Sequence, residues 1–203
     1  MFKIFVLVIL LAAAAAAARW SWQRFRLRPS RSAAPILHLQ PGDRLQLRGV
    51  GPDRHTEEIR VTRRNAYRQE GFVWWELEGE SDRGKVYIEM EDDDGLQVSV
   101  MVEELALDDT DQTGPGLDEI ARNGRGTLVC RERSYRFRES GRATYLPGEQ
   151  RGQAEEFIYW DFEPEGDDYD LAIERWGGSR HDVFLVQELE PDQVTIHSAG
   201  ESQ

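Results

Sequence analysis

The residues of this chain best suited to chemistry are carboxylates set among aromatic rings. Two heptapeptides carry them, Phe72-Val73-Trp74-Trp75-Glu76-Leu77-Glu78 and Phe157-Ile158-Tyr159-Trp160-Asp161-Phe162-Glu163, each followed by an Ile-Glu pair, Ile88-Glu89 and Ile173-Glu174. Carboxylates beside ring faces attract cations by charge and by cation–π contact. Carboxylates held close together part their proton affinities and can share acid and base roles. The candidate ligand or partner surface is therefore Trp74, Glu76, Glu89, Tyr159, Asp161 and Glu174. The chemistry it implies is attraction of a polyamine or divalent cation, or, as a further alternative, catalysis by Glu89 and Glu174. Alternation puts these two acids on the outer face of their strands with Tyr87 and Trp176, where solvated groups are expected.

Other constellations fail on spacing. The run Glu89, Glu91, Asp92, Asp93, Asp94 before Gly95 invites a calcium loop, but aligning Gly95 on the loop glycine puts Met90 and Met101 at the first and last ligand positions. A hairpin turn is expected there and around Gly166. His38, His55, His181 and His197 lie far apart with no metal-ligand spacing, and Cys130 has no second cysteine. Ser179, His181 and Asp182 are too close in the chain to form a triad. Cys130, flanked by Arg131 and Arg133, reads as a buried inert thiol. Gly114-Pro115-Gly116 and Gly124-Arg125-Gly126 lack the lysine and hydroxyl of a phosphate loop. No catalytic, cofactor or metal residue is assigned.

The elements that must position the acids read as strands. Short alternating runs separated by Gly, Pro and Asp clusters span Arg44 to Arg48, Glu58 to Arg63, Phe72 to Glu78, Lys85 to Met90, Leu96 to Val102, Thr127 to Arg131, Ser134 to Arg138, Phe157 to Glu163, Tyr169 to Glu174, His181 to Glu188 and Gln193 to His197. Leu117 to Asn123 could hold one or two helical turns. An offset of 85 lays the second heptapeptide on the first, Ile173-Glu174 on Ile88-Glu89 and Val183 on Val98, the mark of an internal duplication with units of about 37–106 and 126–197. Val73, Trp75 and Leu77, with Ile158, Trp160 and Phe162, face the core, and the opposite, mixed face is partly buried. The expected fold is all-β, two β-rich units merged into a pseudo-twofold sandwich or barrel-like body over 37–198, with a tail at 199–203. Two small barrels side by side are the alternative.

Charge divides the chain. Of 25 Lys and Arg residues six stand before residue 36 with no acid among them, so the remainder carries 19 bases against 38 acids. Such a body is repelled by nucleic acid. The run from Ile4 to Ala18 is uninterruptedly apolar and is followed by Arg19, Trp20, Trp22, Arg24, Arg26 and Arg28. Basic and aromatic residues after the run fit a membrane interface with the body on the cytoplasmic side. The expectation is a single-pass inner-membrane anchor over 1–28 and a linker over 29–36. A cleaved signal with export is the alternative, since Ala16-Ala17-Ala18 suits processing.

The run LQPGDRLQLRG from Leu39, the FVWWELEGE and VYIEMEDDDG strands, YRFRESGRATY from Tyr135, FIYWDFE and LAIERW together resemble the bacterial family called domain of unknown function 4178, over about Leu39 to Ile196. The resemblance implies a β-rich domain with no established catalytic residues, encoded beside membrane-stress proteins of the phage-shock type and aminopropyltransferase-like polyamine enzymes. The expected function is a non-catalytic, membrane-tethered adaptor or accessory with a protein partner in a bacterial envelope system. The alternatives are the small-cation or polyamine binder and the paired-carboxylate enzyme.

Overall fold

The computed structural model describes residues 34–92, 95–166 and 169–197. It is mostly β, a single antiparallel sheet with one α-helix among the described residues. The anchor expected over 1–28, with its interface residues Arg19, Trp20, Trp22, Arg24, Arg26 and Arg28, lies outside them, as do Asp93, Asp94, Asp167, Asp168 and the tail. Among the described residues no helix is long and apolar enough to cross a membrane.

Among the described residues eleven strands follow in chain order: β1 (Arg44–Val50), β2 (His55–Gln69), β3 (Phe72–Ser81), β4 (Gly84–Asp92), β5 (Leu96–Leu105), β6 (Thr127–Cys130), β7 (Arg133–Leu146), β8 (Glu155–Pro164), β9 (Asp170–Trp176), β10 (Arg180–Leu189) and β11 (Val194–His197). Between β5 and β6 runs α1 (Gly114–Asn123), longer than the expected Leu117 to Asn123. Its ends are written in the sequence: the Thr113 hydroxyl accepts from the Gly116 amide, proline stands in the first turn, and Gly124 closes the helix in the left-handed region at φ 62.

The strand order is β11-β1-β2-β3-β4-β5-β10-β9-β8-β7-β6, and β2 also pairs with β7 through Ala66↔Leu146, Tyr67↔Tyr145 and Arg68↔Thr144. That extra pairing closes β2, β3, β4, β5, β10, β9, β8 and β7 into a ring of eight antiparallel strands. Each strand of such a ring shows one face to the interior and one to the outside.

Most of the aliphatic residues take the outside face. On the first half, Ile59, Val61, Leu77, Val86, Ile88, Met90, Val98 and Val100 form a core covered by Leu45 and Leu47 of β1, by β11 and by the 3-10 turn Ala34–His38. Ile36, expected as the last linker residue, is 1% exposed in this core. On the second half, Trp160, Phe162, Leu171, Ile173 and Val183 pack under Leu117 and Ile120 of α1 and Leu128 and Cys130 of β6. Each fully buried aliphatic or aromatic side chain contributes about 1.5–3 kcal/mol. Val73, Trp75 and Leu77 share the core-facing parity of β3 as expected, and Ile158, Trp160 and Phe162 that of β8.

The offset of 85 holds for the flanking strands of each half but not for the middle one. Leu77 pairs with Ile88, whereas Phe162 pairs with Leu171, and Trp160 with Ile173. Beyond β4 and β9 the shift is reversed, since Met90 pairs with Val98 and Ile173 with Val183. The middle strand of the second half has thus slipped by two residues against the sequence match. A slip of two keeps every side chain on its face. The pairing therefore corrects the equivalence of Glu89 and Glu174: Glu174 stands where Glu91 stands in the first half.

Candidate functional site

The ring interior, opposite the two cores, receives the even-numbered side chains of β3, namely Phe72, Trp74 and Glu76. Part of it is filled by an aromatic cluster at the β2–β7 closure. Tyr67 stacks on Trp74 with centroids 5.3 Å apart and meets Tyr145 and Phe157, while Phe157 stacks on Trp176 at 4.5 Å. The polar edges of this cluster hold carboxylates. The Tyr67 hydroxyl donates to Glu76 Oε2 at 3.1 Å, and the Trp176 indole donates to Glu174 Oε2 at 2.9 Å. Asn65 Nδ2 donates to Glu76 Oε1 and Glu78 Oε1, both at 2.8 Å, while its carbonyl accepts the Gly148 amide. Glu76 is thus only 4% exposed and fully bonded.

The rest of the interior is a cavity of about 330 Å³, within the range of small-ligand sites. Side chains from seven of the eight ring strands line it together with Gln69 of β2. Phe72, Trp74, Phe157 and Tyr159 supply apolar and aromatic wall; Glu89, Glu91, Glu139, Asp161, Asp170, Glu174 and Glu188 supply acidic groups, and Arg138 is the basic residue among them. Five of the six expected site residues, Trp74, Glu89, Tyr159, Asp161 and Glu174, therefore meet at one cavity, and Glu76 lies behind its wall. This corrects the expectation that Glu89 and Glu174 are solvated on an outer face. Alternation identified a second face but could not show that the ring turns that face inward.

Burial governs the electrostatics. Enclosure by the ring pushes Glu174 up to about 8, with the Glu76 charge adding to it and the Trp176 hydrogen bond opposing. Glu76 and Asp161 rise to about 7, in each case mainly through loss of solvent; Asn65 and Tyr67 restrain the first and Arg138 the second. Glu89 is raised well above the carboxylate range by burial and by the charges of Glu76, Glu174 and Asp161. Glu76 and Glu89 are direct cross-strand neighbours, a placement that destabilises two like charges. Among the described residues no hydrogen bond or ion pair reaches the Glu89 carboxylate. Burial therefore favours the protonated forms of these carboxyls.

Asn65, Tyr67 and Arg138 are residues that sequence reasoning missed. The first two alternate in Asn65-Ala66-Tyr67, inside a run rich in arginine that does not look like a strand. The Cys130 thiol is buried, and burial pushes its pKa up against the pull of Arg131. Among the described residues no group of three His, Cys, Asp or Glu side chains is placed to hold a metal ion.

No curated protein and no solved structure matches the chain. A family model described as Domain of unknown function (DUF4178) matches residues 40–191, which takes in the whole ring and its cavity, and the chain belongs to that family.

Proposed function

We propose that the body is a binding module for a small organic cation, an amine with more than one positive charge, taken into the ring cavity. The observation that carries this reading is the Glu89 carboxylate, unpartnered among the described residues, beside Glu174 and Asp161 in a cavity with aromatic walls. Acids spread around a ring suit a ligand with separated charges better than a bare divalent ion, which needs converging oxygens. An ammonium group would take the place of the protons and lower the pKa of each acid it meets. Binding near neutral pH should therefore release protons from Glu174 and Asp161. Calorimetry of the full chain with spermidine, in two buffers of different ionisation enthalpy, tests this. A binding heat that changes with the buffer supports the reading; no heat at millimolar spermidine overturns it.

A second reading, acid–base catalysis, is favoured by the Glu76–Glu89 cross-strand pair. Mass analysis of the bound amine after long incubation separates the two, because a catalyst alters its ligand and a binding module returns it intact.

From the apolar run and the Arg-Trp flank of residues 1–28 we further infer a membrane-tethered accessory protein whose body faces the cytoplasm. Protection of a carboxyl-terminal tag from protease in spheroplasts tests the orientation. We read the two five-strand sets β1–β5 and β6–β10 as duplicates related by a pseudo-twofold axis. The antiparallel pairing of β5 with β10 and of β2 with β7 supports this, since a twofold axis lays equivalent strands side by side in opposite directions.

A further inference from the structure

Arg138 is held at the cavity by a break in strand pairing. On β7, Phe137 stands opposite Phe162 and Glu139 opposite Asp161, leaving Arg138 as the extra residue of a bulge. Bulges re-aim a side chain that regular alternation would send elsewhere. Here Phe137 keeps its place in the outer core and Glu139 its place opposite Asp161, while the Arg138 guanidinium reaches Asp170 at 2.8 Å and Asp161 at 4.0 Å. Both acids line the cavity. The Arg138 side chain remains 47% exposed, against 22% for Asp161 and 33% for Asp170, which places it at the mouth rather than in the depth. Glu139, exposed on the same strand, and Glu188 of β10, which also lines the cavity, are further charges near it.

Resting on the cation-binding reading, we propose that the Arg138 guanidinium is the resident occupant of a cation subsite between Asp161 and Asp170, displaced when an amine enters the ring cavity. A tethered guanidinium is an internal competitor: it neutralises the outer pair of acids, and it does not satisfy Glu89 deeper in the ring. Ion pairs with one partner half-exposed are weak, so the side chain can leave for solvent without disturbing the strand. The apparent affinity for ligand is then reduced by the fraction of molecules in which Arg138 occupies the subsite.

The test compares spermidine binding by calorimetry in the full chain and three variants at low ionic strength. Arg138→Gln should bind about tenfold more tightly than the wild type, while Arg138→Lys, which restores a tethered cation, should stay within about threefold of it. Arg142→Gln controls for the general field. Arg142 lies on the same strand, pairs with Glu156 and is 67% exposed, and its removal should change affinity less than about twofold. Unchanged or weaker binding by Arg138→Gln overturns the displacement, and so does an equal gain from Arg142→Gln. Absence of binding by every variant, each with the wild-type near-ultraviolet spectrum, overturns the cation-binding reading itself. If Arg138→Gln does not fold, carbon-detected NMR of the wild-type guanidinium decides: its rotation should quicken when spermidine is added, and an unchanged rate with ligand bound overturns the displacement.

Discussion

Replacing Glu174 by Gln should stabilise the empty protein in alkaline solution and leave it almost unchanged in acid. The native carboxyl holds its proton up to about 8 instead of 4.5, so between these values the folded state binds more protons than the unfolded one. Stability from this group is complete below the unfolded value and is lost as pH rises through about 8. At about 1.4 kcal/mol per pKa unit the upper bound is about 5 kcal/mol, and water in the cavity leaves about 2–3 kcal/mol of it. Gln is neutral at every pH and its carbonyl can still accept the Trp176 indole hydrogen. In a body of this size each kcal/mol moves Tm by about 2–4 °C, so Glu174→Gln should melt about 5–10 °C above wild type near pH 9 and within about 2 °C of it near pH 5. Scanning calorimetry of the two full-length chains, without ligand, measures this. An equal shift at both pH values, or a lower Tm at pH 9, would refute the picture of Glu174 as an acid kept neutral by enclosure.

Further outcomes follow from contacts described above. A Cβ on Gly141 would lie 2.6 Å from Gln69 Nε2 and 2.7 Å from the Tyr159 ring and hydroxyl; Gly141→Ala should break the 2.7 Å Tyr159–Gln69 hydrogen bond, cost about 1–3 kcal/mol in chemical denaturation and weaken spermidine binding. Phe162→Ala empties a fully buried site beside Phe137 and should cost about 3–5 kcal/mol by the same measurement. Thr113→Ala removes the cap of α1 and should cost about 1 kcal/mol, with faster amide exchange confined to the first helical turn.

Every strand has its counterpart in an alternating run of the sequence, because each sets apolar residues against an outer core along part of its length. What alternation could not supply is the second half of β2 and of β7. Residues 64–69 and 139–146 carry Arg, Asn, Gln, Glu and Gly where a strand on a single core would carry aliphatics, since their pairing closes the ring and alternate side chains, Asn65 and Tyr67 among them, serve its interior. Closure itself depends on three pairs between residues far apart in the chain, and no local pattern encodes a long-range partner. The acids suffered the same blindness: Glu89 and Glu174 were legible as a matched pair of unusual residues, but a face that is not the core looks like a face toward water until the strands opposite it are known. The two-residue slip of β9 was hidden for a related reason, because it preserves the alternation and changes only which carboxylate faces which neighbour.

The pairing of β1 with β11 sets Arg44 opposite His197, so the first strand of the body is completed by the last. Leu189, Val194 and Ile196 belong to or pack on the same core as Leu45 and Leu47. During synthesis the amino-terminal half therefore cannot finish its own core until nearly the whole body has left the ribosome. Contacts of such sequence separation make folding slow. Until then β1 presents an unpaired edge, a template for aggregation that the nascent chain must keep covered, and a truncation before Val194 would leave that edge permanently open.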